Sequence, residues 1–274
     1  MKGSNIMKKT AALLLCFTLI LVAFTGCNKK DSDKIDPSIT KHAAYNLYYD
    51  TIKRFVPELM NTPQQCDVDV TCHEDVTFLT EHFVRDSSVK VKSQIVDGKV
   101  QYCLLSDYPA ANNREFYCID NDKLYTITCG LDKKGDLVEW DNSHISSFIF
   151  PYLITPLFGE EAILSFNALE KDHYMELSFT VNGAEMEYGY SRKAMVEINP
   201  GIDEDLDIVE IVLTVDEYGT PKNMSTKLSM TRLKNEGDVL AKKTIDMDYV
   251  FNAFDNISFD LGEIIAQYSD DTLN

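Results

Sequence analysis

At 274 residues, with 44 Asp and Glu against 26 Lys and Arg, the chain carries a formal charge of −18. That balance argues against a nucleic-acid partner, because phosphate affinity comes from Lys and Arg. It argues equally against the body lying flat on anionic lipid, which attracts basic segments. Seven cysteines spread through this length do not make a small disulfide scaffold.

The N-terminal stretch is the clearest signal. Lys8 and Lys9 precede an apolar run from Ala11 to Phe24, interrupted only by Thr18 and closed by Thr25-Gly26 before Cys27. A charged start, an apolar run of this length and a small-residue exit mark a secretory signal. The run is short for a bilayer core of about 30 Å. Phe24-Thr25-Gly26-Cys27 resembles the lipobox of bacterial lipoproteins, with Phe24 where Leu is more usual. That resemblance implies cleavage before Cys27 and a diacylglycerol on its sulfur, anchoring the protein to the outer face of the bacterial cytoplasmic membrane. Loss of residues 1–26 removes Lys2, Lys8 and Lys9 and no acid, so the charge falls from −18 to −21 over 248 residues. Residues 27–36 then read as anchor and polar tether, 37–262 as one domain and 263–274 as a C-terminal tail.

Asp36-Pro37 offers a helix start, an acid cap before a proline at the first position. Ala44, Leu47, Tyr48, Ile52, Phe55 and Leu59 recur at helical spacing, predicting a helix over Ser38–Met60 that Pro57 kinks or ends. Tyr45, Tyr48 and Tyr49 read as packing with a polar rim rather than as a ligand contact. From Cys66 the period changes to two: Cys66, Val68, Val70 and Cys72 alternate with polar residues, as do Val89, Val91 and Ile95. Asp97-Gly98 predicts a hairpin turn. Strands return at Val100–Leu104, Glu115–Ile119 and Leu124–Cys129, forming an antiparallel meander with one polar face. Cys103 and Cys118 face each other across this predicted hairpin, so a disulfide is geometrically open; buried free thiols are the alternative.

Ser143–Gly159 interrupts the pattern. Ile145, Phe148, Ile149, Tyr152, Leu153, Leu157 and Phe158 have helical spacing, and Pro151 and Pro156 limit them to short turns. Strands resume at Ile163–Ala168, Tyr174–Val181, Ala184–Tyr190, Ile208–Asp216, Met224–Thr231 and Leu240–Phe251. Residues 199–207 read as an acidic loop, and Leu261–Asn274 as a short helix or a frayed tail.

Catalytic motifs are missing: there is no G-x-S-x-G, H-E-x-x-H, phosphate loop or EF-hand. Cys66, Cys72, His73 and His82 are metal-binding types, but the cysteine spacing is not that of a zinc knuckle and His73 points away from Cys72 on a strand. Asp203, Glu204, Asp205 and Asp207 read as a solvated surface rather than a calcium site. No metal, no cofactor and no enzyme activity are expected.

This order of elements resembles the LolA/LppX-type lipoprotein carriers. Val215–Met224 looks like the family's late hairpin and Asp246–Asn252 like its final strand. The resemblance implies an α+β, mostly antiparallel fold: a strongly curved half-barrel of about ten strands, with an N-terminal helix and a short apolar helical insertion in the concave face. It implies a monomeric lipoprotein binding a hydrophobic or amphiphilic, lipid-like ligand without chemistry, but transfers no ligand residue to particular positions. The seven apolar residues of 145–158 are the candidate cavity if they plug the concave face incompletely, and plain core is the alternative. The rival readings are an envelope protein–protein interaction module with a filled core and an unrecognised cell-envelope hydrolase.

Overall fold

The computed structural model describes residues 34–55, 64–120, 123–140, 157–185, 204–233 and 239–271. The chain divides between Ile35 and Asp36, and the unit from Asp36 to Asn274 holds every described strand and helix. Helix α1 (Lys41–Phe55) precedes β1 (Cys66–Phe78), β2 (Glu81–Val96), β3 (Lys99–Tyr108), β4 (Asn113–Asp120), β5 (Lys123–Cys129) and β6 (Val138–Trp140). Then come β7 (Ile163–Lys171), β8 (Tyr174–Asn182), β9 (Glu204–Asp216), β10 (Pro221–Leu233), β11 (Val239–Ala253) and α2 (Leu261–Tyr268).

The eleven strands form one antiparallel sheet in the order β6-β5-β4-β3-β2-β1-β11-β10-β9-β8-β7. Two meanders are sealed at the centre by β1 on β11, where Val70 faces Tyr249. The strands adjacent in sequence across residues 141–162, β6 and β7, are the two edges, so the sheet is open. The hairpin predicted at Asp97-Gly98 forms with both residues at positive φ, 51° and 78°, as a two-residue primed turn requires.

Side-chain alternation gives each strand two faces. One face is apolar along the whole sheet: Val68, Val91, Leu104, Leu124, Leu177, Leu213, Leu228 and Ile245 are fully buried on it. Helix α1 lies there through Ala44, Tyr48 and Ile52, also buried. A 15-residue helix is about 22 Å long, whereas eleven flat strands at about 4.8 Å spacing would be about 48 Å wide. The sheet therefore curls around α1, and this face is the concave one.

Several expectations are corrected. Helix α1 starts at Lys41, not Ser38: Asp36 instead accepts from the Ser38 N–H at 2.8 Å in a preceding turn, and Thr40 Oγ1 accepts from the Ala43 N–H at 3.2 Å. The helix ends at Phe55 among the described residues, and Pro57 to Met60 lie outside them. Strand β6 adds an eleventh strand. Gly183–Glu185 is a 3₁₀ turn rather than the start of a strand, and the rest of the Ala184–Tyr190 segment lies outside the described residues. The acidic stretch from Glu204 to Asp207 belongs to β9, because backbone pairing to β10 carries it.

The predicted polar outer face fails for β3–β5. Cys103, Phe116, Cys118, Tyr125 and Ile127 form a second core on that face, sealed by Leu261 and Ile265 of α2. The two helices thus lie on opposite faces, and α2 does not fill the concavity. Asp260 caps α2, accepting from the Glu263 N–H at 3.0 Å. Gln94 fastens the approach to the helix: Nε2 donates to Phe259 O at 2.8 Å, and Oε1 accepts from Phe259 N at 2.8 Å.

Candidate functional site

The concave face is the candidate site. Its most aromatic part surrounds Tyr48 of α1, whose ring centroid lies 5.0 Å from Phe158 and 5.9 Å from Phe179. Phe166 of β7 packs 5.3 Å from Phe179. Burial pushes the Tyr48 phenol well above its usual range, with Tyr249 and Tyr45 adding to the shift. At the far end of α1 the Arg54 guanidinium lies 4.9 Å over Phe254, which packs 5.3 Å from Phe251.

Of the seven apolar residues expected to form a cavity, Leu157 and Phe158 are described, and both are buried at this face. Phe158 is held by its backbone as well as its ring, since Tyr45 Oη donates to Phe158 O at 2.8 Å. His42 Nδ1 and Glu160 Oε2, 2.6 Å apart, tie the start of α1 to the same stretch. Ile145, Phe148, Ile149, Tyr152 and Leu153 lie outside the described residues, as does Cys27. Sequence reasoning missed Phe179, Tyr249 and Phe251 as site residues; their period-two spacing marks them as inward-facing but does not distinguish site from core.

Polar atoms are few on this face. Thr226 Oγ1 and Ser106 Oγ are buried without a hydrogen-bond partner among the described residues. Leaving such a hydroxyl unpaired costs about 1–3 kcal/mol. Toward one end of the face, Glu74 pairs with Arg85 at 2.9 Å and with Lys243. Burial and the nearby Glu74 carboxylate push the Cys72 thiol up to about 11. Burial pushes Cys66 up to about 12, with Ser93 Oγ 3.2 Å from its sulfur. Thiols so protonated are poor nucleophiles and poor metal ligands.

Cys103 and Cys118 are register partners on the outer face, with their sulfurs 3.2 Å apart as free thiols. Burial and the neighbouring Cys103 raise the Cys118 thiol well above its usual range.

The histidines pair with carboxylates rather than with cysteines. His73 Nδ1 lies 2.7 Å from Asp86 Oδ1, and His82 Nε2 lies 2.8 Å from Asp75 Oδ1, both on the outer face. Thr71, His73, Asp86, Ser88, Asp246 and Asp248 line a polar cleft of about 340 Å³ there. No group among the described residues has the arrangement to hold a metal ion. The hydrogen bond to Asp86 raises the His73 pKa, with Asp246 and Asp75 contributing. The stabilisation this gives is present below the ordinary value of about 6.5 and is lost as pH rises through the raised one. An NMR titration is expected to place His73 above that ordinary value, and Asp86→Asn to bring it down. Titration of His73 at or below it in the unsubstituted protein would contradict the pairing.

No family model matches the chain, and no curated protein matches it. Among solved structures it is similar to a LolA superfamily protein from Nitrosomonas europaea, at 9% identity and a TM-score of 0.27, over 81% of this chain and 96% of that one. It is similar to a putative outer membrane lipoprotein-sorting protein domain from Vibrio parahaemolyticus, at 12% identity and a TM-score of 0.24, over 82% and 98%. A DUF1329 family protein from Desulfovibrio piger gives 13% identity and a TM-score of 0.29, over 82% and 96%. Identities and TM-scores this low carry no family, ligand or role across to this chain.

Proposed function

We propose that the protein is a membrane-anchored extracytoplasmic lipoprotein that holds a hydrophobic or amphiphilic, lipid-like ligand at its concave face, without catalysis. The observation that supports this most is the face itself, a continuous apolar and aromatic surface on an open sheet around Tyr48, Phe158 and Phe179. An acyl chain is recognised by such a surface through area alone, since burial stabilises by about 25 cal/mol per Å². The Thr226 and Ser106 hydroxyls, unpartnered among the described residues, are groups that the polar atoms of an amphiphile would satisfy. Ile145, Phe148, Ile149, Tyr152 and Leu153 continue the apolar run that reaches the face at Leu157 and Phe158 and are assigned to the same cavity. Cys27 carries the anchor, and the acidic body stands off the lipid surface.

Phe148→Asp or Leu153→Asp is expected to abolish uptake of a fluorescent fatty acid while leaving the circular dichroism spectrum unchanged. Undiminished uptake by the folded variants would contradict the assignment. One observation favours an interaction module instead: side chains such as Leu177 and Leu213 are already fully buried, as in a filled core. Cross-linking to one specific envelope partner, with no lipid bound, is the result that reading requires.

A further inference from the structure

A second cavity, of about 210 Å³, lies on the outer face between α2 and strands β2–β4. Leu105 and Phe116 floor it, Ile264 and Tyr268 of α2 wall it, and Lys90 and Lys92 stand at its mouth. The register sets this arrangement, because Lys90 faces Leu105 and Lys92 faces Cys103 across the β2–β3 ladder. The wall is fixed: Tyr268 stacks on Phe116 at 5.7 Å and lies under the Arg114 guanidinium at 5.2 Å. Arg114 is in turn held by both oxygens of Asp107, at 2.6 and 2.8 Å.

Two cations two residues apart on one strand face are an exception in a chain of charge −18. Lys92 is paired with Asp67 at 3.1 Å. The Lys90 ammonium group has no ion-pair or hydrogen-bond partner among the described residues. Its register partner on β1, Asp69, instead accepts from Asn252 Nδ2 at 2.9 Å. An apolar floor beneath an ammonium group that makes no direct ion pair is complementary to a molecule with a short apolar tail and a negative head. The volume lies below the roughly 300–1,000 Å³ of sites for drug-sized ligands and far below the needs of a two-chain lipid. We infer that this cavity binds a small anionic amphiphile, a carboxylate on a short aliphatic chain, with its head beside Lys90 and Lys92 and its tail against Leu105, Phe116 and Ile264. The site is separate from the concave face and does not depend on what that face holds.

Calorimetric titration of the protein with octanoate tests this, with 1-octanol as the uncharged comparison. Octanoate is expected to bind saturably at one site, and octanol at least about tenfold more weakly, the scale of one charge-assisted hydrogen bond. Lys90→Gln, an exposed change that leaves the fold intact, is expected to weaken octanoate by a similar factor. Ile264→Trp fills the cavity and is expected to abolish binding. The inference is overturned by absence of saturable octanoate binding, by equal affinity for octanol, or by unchanged affinity in Lys90→Gln. Full octanoate affinity in folded Ile264→Trp also overturns it, since the octanoate would then sit elsewhere than in this cavity.

Discussion

Phe179→Ala is expected to destabilise the protein by about 3–5 kcal/mol, the range for removing a fully buried aromatic side chain. Phe179 is 2% exposed and touches both Tyr48 of α1 and Phe166 of β7. Its loss therefore opens a cavity where the helix, the sheet edge and the Phe158 stretch meet. Relaxation is restricted, because Tyr48 is held from the other side by Phe158. Urea unfolding of the variant should show a lower midpoint with an unchanged slope. Phe166, only half-buried on the edge strand, should lose less than half as much on truncation. A Phe179→Ala loss below about 1 kcal/mol would mean that α1 is not packed as described.

The second large effect is expected at Gln94, a polar residue buried beneath the approach to α2. It bonds Phe259 through both backbone groups and donates to Gln101 Oε1 at 2.7 Å, and Gln101 donates to Asp120 at 2.7 Å. Gln94→Leu keeps the volume but leaves the Phe259 N–H and C=O without partners. At about 1–3 kcal/mol for each of the two orphaned groups, the expected loss is about 2–6 kcal/mol. Hydrogen exchange should show the amides of 261–268 released before those of the central strands, since α2 is seated by only a few side chains. Uniform exchange across the sheet and α2 would contradict a local clamp.

Much of this fold is legible in the sequence, for a definite reason. On the parts of β1, β2, β8, β9, β10 and β11 that bury one face and leave the other wet, period two appears cleanly, as at Val68 and Val70, Val89 and Val91, Leu177 and Phe179, Val209 and Ile211, and Met247 and Tyr249. The wet outer face of β1 carries Asp67, Asp69, Thr71, His73 and Asp75, which leaves no doubt about register. In β3–β5 the alternation breaks down: Tyr102-Cys103-Leu104-Leu105 and Phe116-Tyr117-Cys118-Ile119 are continuous apolar runs. Such runs mark strands covered on both sides, and they are the signal that α2 lies on the outer face. Helix α2 itself is eight residues long and is set by the Asp260 cap and its contacts, which periodicity cannot supply.

Other misreadings have similar causes. The Asp36-Pro37 pair resembles a helix start, but Asp36 spends its carboxylate on Ser38, and Thr40 provides the cap. The acids of 204–207 resemble a loop because charge hides a strand whose backbone is paired to β10. Strand β6 is three residues long and too short to show any period. For the site, alternation indicates which side chains point inward; it does not indicate which of them a ligand touches. Leu157 and Phe158 are found on the concave face, and Cys103 and Cys118 stand opposite each other in the β3–β4 register as free thiols.

The central claim is that the concave face holds an apolar ligand. Native mass spectrometry of residues 28–274, expressed without the anchor and purified without detergent, tests it most directly. The account predicts a mass excess that disappears on denaturation and matches a lipid or another apolar compound. A clean apoprotein mass, unchanged after incubation with membrane extract, would contradict it and leave the concave face as a filled core.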